Sequence, residues 1–166
     1  MSLASSHEFT FLLSDLSRDD QQLMESAISA MKTAYAPYSK FTVGAAVRME
    51  TGQIVSGSNQ ENASYPLCMC AERVALYNAA VNLPQQKIVA IAIVAHNEHK
   101  PIDKPVTPCG ACRQVIAEFE NRQSEGIRIL LKGDNDKVLM FNDIAPLLPL
   151  TFDGSYLLRD QINQGP

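Results

Sequence analysis

The sequence predicts an α/β protein, a three-layer α/β/α sandwich around a mixed sheet. Three observations point there. The run Ile88-Val89-Ala90-Ile91-Ala92-Ile93-Val94 has no polar face and suits a strand buried on both sides. Segments of helical period alternate with segments of strand character. The last two strand-like segments, 127–131 and 137–141, are joined by too few residues for a parallel crossover, so that pair is expected to be antiparallel.

Taken in order, residues 1–15 are mixed and are expected to be a partly loose N-terminal segment. Ser17 is an N-cap candidate, with Asp19 and Asp20 placed to favour the helix dipole. Leu23, Ala27, Ile28, Met31 and Ala34 then recur at helical spacing until Pro37. Residues 41–49 and 53–58 form a hairpin around Thr51-Gly52. Residues 59–69 are polar, contain Pro66 and read as a loop. A helix runs from near Cys70 to about Asn82, where Pro84 stops it. The apolar strand follows, then a loop with Pro101, Pro105 and Pro108. A third helix runs from near Cys109 to about Asn121. Two short tail elements are expected at 144–150 and 156–158. Each cysteine-bearing segment opens a helix after a strand or a strand-loop, so both can meet at one end of the sheet.

A chain of 166 residues with 46% hydrophobic and 19% charged residues suits one folded domain, 1–166. There is no apolar run long enough to span a bilayer and no secretory pattern at the start, which sets the cytoplasm as the expected location. A formal charge of −4 without a Lys/Arg block makes a poor polyanion binder, so neither nucleic acid nor membrane is an expected partner. His7, His96 and His99 lie outside the cysteine segments and read as surface or loop residues. Gly133-Asp134-Asn135-Asp136 reads as a hairpin turn, and Met24, Met31 and Met140 as core filler.

The chemistry concentrates in Cys70-Ala71-Glu72-Arg73 and Pro108-Cys109-Gly110-Ala111-Cys112-Arg113. Cys109 and Cys112 are one helical turn apart, and Cys70 sits at another helix start, where partial positive charge favours thiolate. Soft sulfur donors select zinc, and a trio leaves a fourth position open for chemistry. Glu72 is placed to move the proton of a water there. Arg73 can donate to the ligand sulfurs and offset their charge. Two plainer readings stand beside this one: free buried cysteines, or a closed Cys₄ site that recruits Cys68 and does no chemistry.

With the flanking Asn59-Gln60-Glu61-Asn62-Ala63-Ser64-Tyr65, with residues 35–46, and with Leu147-Leu148-Pro149 and Phe152, these segments closely resemble the small, free-nucleoside cytidine deaminases. The C-x-E and P-C-x-x-C pair alone marks the wider zinc deaminase superfamily. The resemblance implies a cytidine deaminase-like fold, with zinc held by Cys70, Cys109 and Cys112. It further implies that Glu72 shuttles protons between the attacking water, the pyrimidine N3 and the departing 4-amino group. Cytidine and deoxycytidine would become uridine and deoxyuridine, as in pyrimidine salvage.

The resemblance also implies that Asn59 and Glu61 bind the ribose 3′-hydroxyl, that Phe41 packs on the pyrimidine, and that the Ala71 backbone reads its 2-oxo edge. Tyr65 falls between the sugar pair and the zinc segment. In the family, neighbouring subunits of a homotetramer complete each site, with Phe152, and also Tyr38, as the aromatics reaching across. Thr42 and Gln60 depart from the family pattern. A deaminase of a modified cytosine nucleoside, of the blasticidin type, is the alternative within the same fold.

Overall fold

The computed structural model describes residues 9–157. Among them are strands β1 (Phe9–Leu12), β2 (Phe41–Met49), β3 (Ile54–Ser58), β4 (Ile88–Asn97), β5 (Arg128–Lys132) and β6 (Lys137–Phe141). The helices are α1 (Arg18–Ala30), α2 (Ala71–Asn82) and α3 (Gly110–Gln123). The strands form one six-stranded sheet in the order β1-β6-β5-β4-β2-β3. Of the named strands only β4 and β5 pair in parallel among the described residues, across the α3 crossover, and β5 and β6 are antiparallel as the short connection requires. β4 is central and buried on both faces. Ile91 and Ile93 join Val47, Leu76, Ile116 and Leu131 under α2 and α3, while Ala90, Ala92 and Val94 join Leu23, Met24 and Ala27 under α1. These layers make the α/β/α sandwich.

Ser17 caps α1 by accepting the Asp20 N–H. α1 ends earlier than its periodicity implies, tightening into a 3₁₀ turn over Met31–Thr33. Gly44 is what lets α1 lie on β2: a Cβ there would come within 2.0 Å of the Ala27 carbonyl oxygen. Within the segment expected to be partly loose, residues 9–12 form edge strand β1 against β6, from Phe9 opposite Met140 to Leu12 opposite Lys137. Four residues are too short a run to show a strand period, and the partner strand lies at the far end of the sequence. Residues 144–148 form a hydrogen-bonded turn rather than a helix or strand, with the Leu147 and Leu148 N–H groups both donating to the Ile144 carbonyl. A short 3₁₀ turn covers Gly154–Tyr156, and Leu158 lies outside the described residues, as does His7. No helix among the described residues is long and apolar enough to cross a membrane.

Candidate active site

Cys70 and Cys109 are the N-cap residues of α2 and α3, both in extended conformation and neither making a side-chain cap bond. Cys112 lies one turn into α3 and is buried. The fold brings the three sulfurs within 4.8 Å of one another, with Cys70 Sγ to Cys109 Sγ at 3.9 Å and Cys109 Sγ to Cys112 Sγ at 3.5 Å. Tetrahedral zinc with bonds of about 2.3 Å places its sulfurs about 3.8 Å apart, so the donor set and its spacing fit that ion. Cys68 stands apart. Its Sγ accepts the Asn62 N–H at 3.2 Å, and the described metal-competent group excludes it. The closed four-cysteine alternative is therefore corrected: the Cys68 sulfur is taken up by the Asn62 backbone and does not join the other three.

Electrostatics favour a cation at this point. The hydrogen bond from Cys112, aided by Arg73 and Cys109, pulls the Cys70 thiol down to about 5. The same hydrogen bond to Cys70, with burial and the Glu72 charge, pushes the Cys112 thiol up. Binding of a divalent cation by such thiols releases their protons. Arg73 Nη2 lies 3.7 Å from Cys70 Sγ, and its Nε is buried with no hydrogen-bond partner among the described residues. Glu72, in the first turn of α2, is only 5% exposed. Burial, reinforced by the Cys70 charge, holds its carboxyl above the usual range.

A cleft with about 750 Å³ of empty space opens over this cluster. Phe41, Asn59, Glu61, Cys70, Ala71, Glu72 and Cys109 all line it. Asn59 is pinned to β2, its Oδ1 accepting the Val43 N–H at 2.7 Å and its Nδ2 donating to the Phe41 carbonyl at 2.9 Å. Glu61 accepts the Tyr38 N–H at 2.9 Å, the Ser39 N–H at 3.3 Å and the Ser39 hydroxyl. The Ser39 hydroxyl foremost holds the Glu61 carboxyl below its usual range. Tyr38 and Tyr65 sit outside the lining, both exposed, with ring centroids 6.1 Å apart in an edge-on arrangement. Phe152 is exposed on the tail, and its carbonyl accepts from Gln114 Nε2 at 2.7 Å.

Other lining residues are not evident from motifs: Val43, Met69, Ile93, Ala95, Val106 and Thr107. The two from β4 could have been found from strand alternation, since Ile93 and Ala95 share a face. Gln60, a departure noted above, lines the cleft and donates to the Ser58 hydroxyl at 3.2 Å and the Thr33 carbonyl at 3.3 Å. Thr42, the other departure, turns its hydroxyl to the His96 carbonyl at 3.4 Å.

A sandwich whose two helix starts present three thiols beside a buried carboxyl is the layout of a zinc-dependent hydrolytic enzyme. Residues 17–124 match the cytidine and deoxycytidylate deaminase zinc-binding region, and the chain belongs to that family. It is 43% identical over 134 residues to a cytidine deaminase of Halalkalibacterium halodurans, covering 81% of this chain and 94% of that one. The crystal structure of cytidine deaminase from Burkholderia pseudomallei superposes with a TM-score of 0.68 at 37% identity, covering 82% of this chain and all of that one (100%). A blasticidin-S deaminase of Bacillus cereus is 32% identical over 108 residues, covering 63% of this chain and 76% of that protein.

Proposed function

We propose that this chain deaminates cytidine and deoxycytidine by hydrolysis, releasing ammonia and the uracil nucleoside. The observation that carries this reading is the buried Glu72 carboxyl beside the three-sulfur cluster, in a cleft that also presents Asn59 and Glu61. Cys70, Cys109 and Cys112 would hold zinc, which would supply Lewis acidity to a bound water. Glu72 accepts a proton from the attacking water and gives it to the pyrimidine N3. It then moves a proton to the 4-amino group as the C4–N bond breaks. Burial raises its pKa, which suits a carboxyl that must both take and give a proton. Arg73 offsets the charge of the sulfurs through Cys70. The N–H groups opening α2 at Ala71 precede the first intrahelical bonds and suit a carbonyl oxygen such as the pyrimidine 2-oxo group.

Phe41 packs on the base. Asn59 and Glu61 are held rigid by their bonds to the β2 backbone and to the Tyr38-Ser39 turn, yet an amide and a carboxylate each keep capacity for a ribose hydroxyl. A fixed carboxylate at the sugar end suits a free nucleoside and repels a phosphate. Exposed Tyr38, Tyr65 and Phe152 fit contacts with neighbouring copies in a homotetramer, and a fully active monomer by light scattering would refute that. Cytoplasmic pyrimidine salvage is the setting that suits this substrate. The test of function is loss of cytidine absorbance on incubation with the zinc-loaded protein, abolished by chelation and restored by zinc. Faster turnover of blasticidin S than of cytidine would move the assignment to the modified-nucleoside branch.

A further inference from the structure

Arg113 follows the ligand Cys112 directly and does not line the cleft, yet all three of its donor groups are used. Nε donates to the Pro108 carbonyl at 2.8 Å, Nη1 to the Leu147 carbonyl at 2.8 Å, and Nη2 to the Thr107 hydroxyl at 3.1 Å. Its acceptors belong to two segments far apart in sequence. One segment, 101–109, belongs to no helix or strand, and its prolines at 101, 105 and 108 lack backbone donors. Thr107 is a wall of the cleft, and the Pro108 carbonyl shares a peptide unit with the nitrogen of Cys109. The other segment is the Ile144–Leu147 turn. It is itself tied to α3, because Glu120 Oε1 accepts the Ile144 N–H at 3.0 Å, and the Gln114 bond to Phe152 extends the same attachment.

Resting on the deaminase reading, we propose that Arg113 is a positioning residue for the reaction: its guanidinium braces the Thr107–Cys109 segment against the Leu147 turn, fixing one zinc ligand and one wall of the substrate cleft. The planar fork is what the task requires. Three acceptors lie around one half-buried group, and a lysine ammonium, a point charge on a flexible stem, cannot reproduce the fork. Cys109 needs such outside support because, as an N-cap whose sulfur serves the metal, it makes no side-chain cap bond to the N–H groups opening its own helix.

The test compares the zinc-loaded wild type with Arg113→Ala, Arg113→Lys and Thr107→Val. Zinc release to a chromophoric chelator, kcat and KM for cytidine, and the thermal midpoint are measured on each. Arg113→Ala should release zinc about tenfold faster and lose roughly 10–100-fold in kcat/KM, as supporting partners of metal ligands do. Arg113→Lys should lie between Arg113→Ala and the wild type. Thr107→Val, which removes one of the three acceptors, should raise KM while keeping the metal. A purely structural role would lower the thermal midpoint alone. Unchanged zinc release and KM in Arg113→Ala would overturn the proposal, as would wild-type behaviour of Arg113→Lys. If Arg113→Ala does not fold, Arg113→Lys and Thr107→Val decide. A wild type inactive on cytidine would refute the deaminase reading, while the zinc-release comparison would still report on Arg113.

Discussion

Replacing Glu72 with glutamine removes the proton carrier and little else. The side chain keeps its length and shape, and the buried position trades a carboxyl for a neutral amide. A positioned acid/base is typically worth about 10²–10⁴-fold, or about 2.7–5.4 kcal/mol of barrier. The structure places this case in the upper half of that range. Glu72 is 5% exposed, so bulk water cannot relay its proton. The other carboxylate lining the cleft is Glu61, which is occupied by Tyr38 and Ser39 and held below its usual range, so it cannot substitute. Glu72→Gln should therefore lose at least about 10³-fold in kcat, about 4 kcal/mol. It should still hold one zinc per chain, with a thermal midpoint at or above the wild type. The assay is cytidine absorbance under steady state, with metal content measured on the same preparation. A variant within threefold of wild-type kcat, roughly 0.7 kcal/mol, would refute the role of Glu72. Loss of zinc would show that the carboxyl supports the metal site instead.

Three other perturbations have definite expected outcomes. Cys68→Ala should keep its zinc and most of its turnover, because Cys68 bonds the Asn62 backbone rather than the sulfur trio; metal analysis checks this. Asp20 is buried, which alone would raise its pKa, but the Ser17 hydroxyl, Arg128 and Arg48 together hold it below the ordinary value. Its contribution is therefore present above the unfolded pKa of about 3.9 and is lost as pH falls through its lower folded value. Asp20→Asn should cost about 3 kcal/mol at pH 7, by leaving Arg48 and Arg128 without that carboxylate, and should flatten the acid limb of a denaturation series. Gly44→Ala should lower the thermal midpoint by several degrees or prevent folding, since its Cβ would meet the Ala27 carbonyl and the Met31 nitrogen, 2.7 Å away; calorimetry measures it.

The parts of this protein that were legible in the sequence are those set by local spacing. The strand ends at 41–49 and 137–141 and the double burial of β4 follow from periodicity and short connections, and the meeting of the two cysteine segments follows from each opening a helix at one end of the sheet. β1 was not legible, because four residues carry too little period and its pairing depends on β6. Nor were the anchoring bonds of Asn59 and Arg113. Their partners are mostly backbone carbonyls and N–H groups, which nearly every residue type offers, so composition carries no trace of them. The Arg113 bond to Leu147 spans 34 residues, beyond the reach of any local pattern.

The two N-cap cysteines have a thermodynamic consequence. A helix start ordinarily closes itself with a serine or aspartate oxygen, but α2 and α3 spend that position on sulfur committed elsewhere. The ion then fastens both helix starts at once, and stripping it would let the first turns of α2 and α3 fray together. Those amides should be the earliest to exchange with solvent deuterium in a chelated sample. Catalytic competence and local order would then vanish over the same range of free zinc, because one set of bonds serves both.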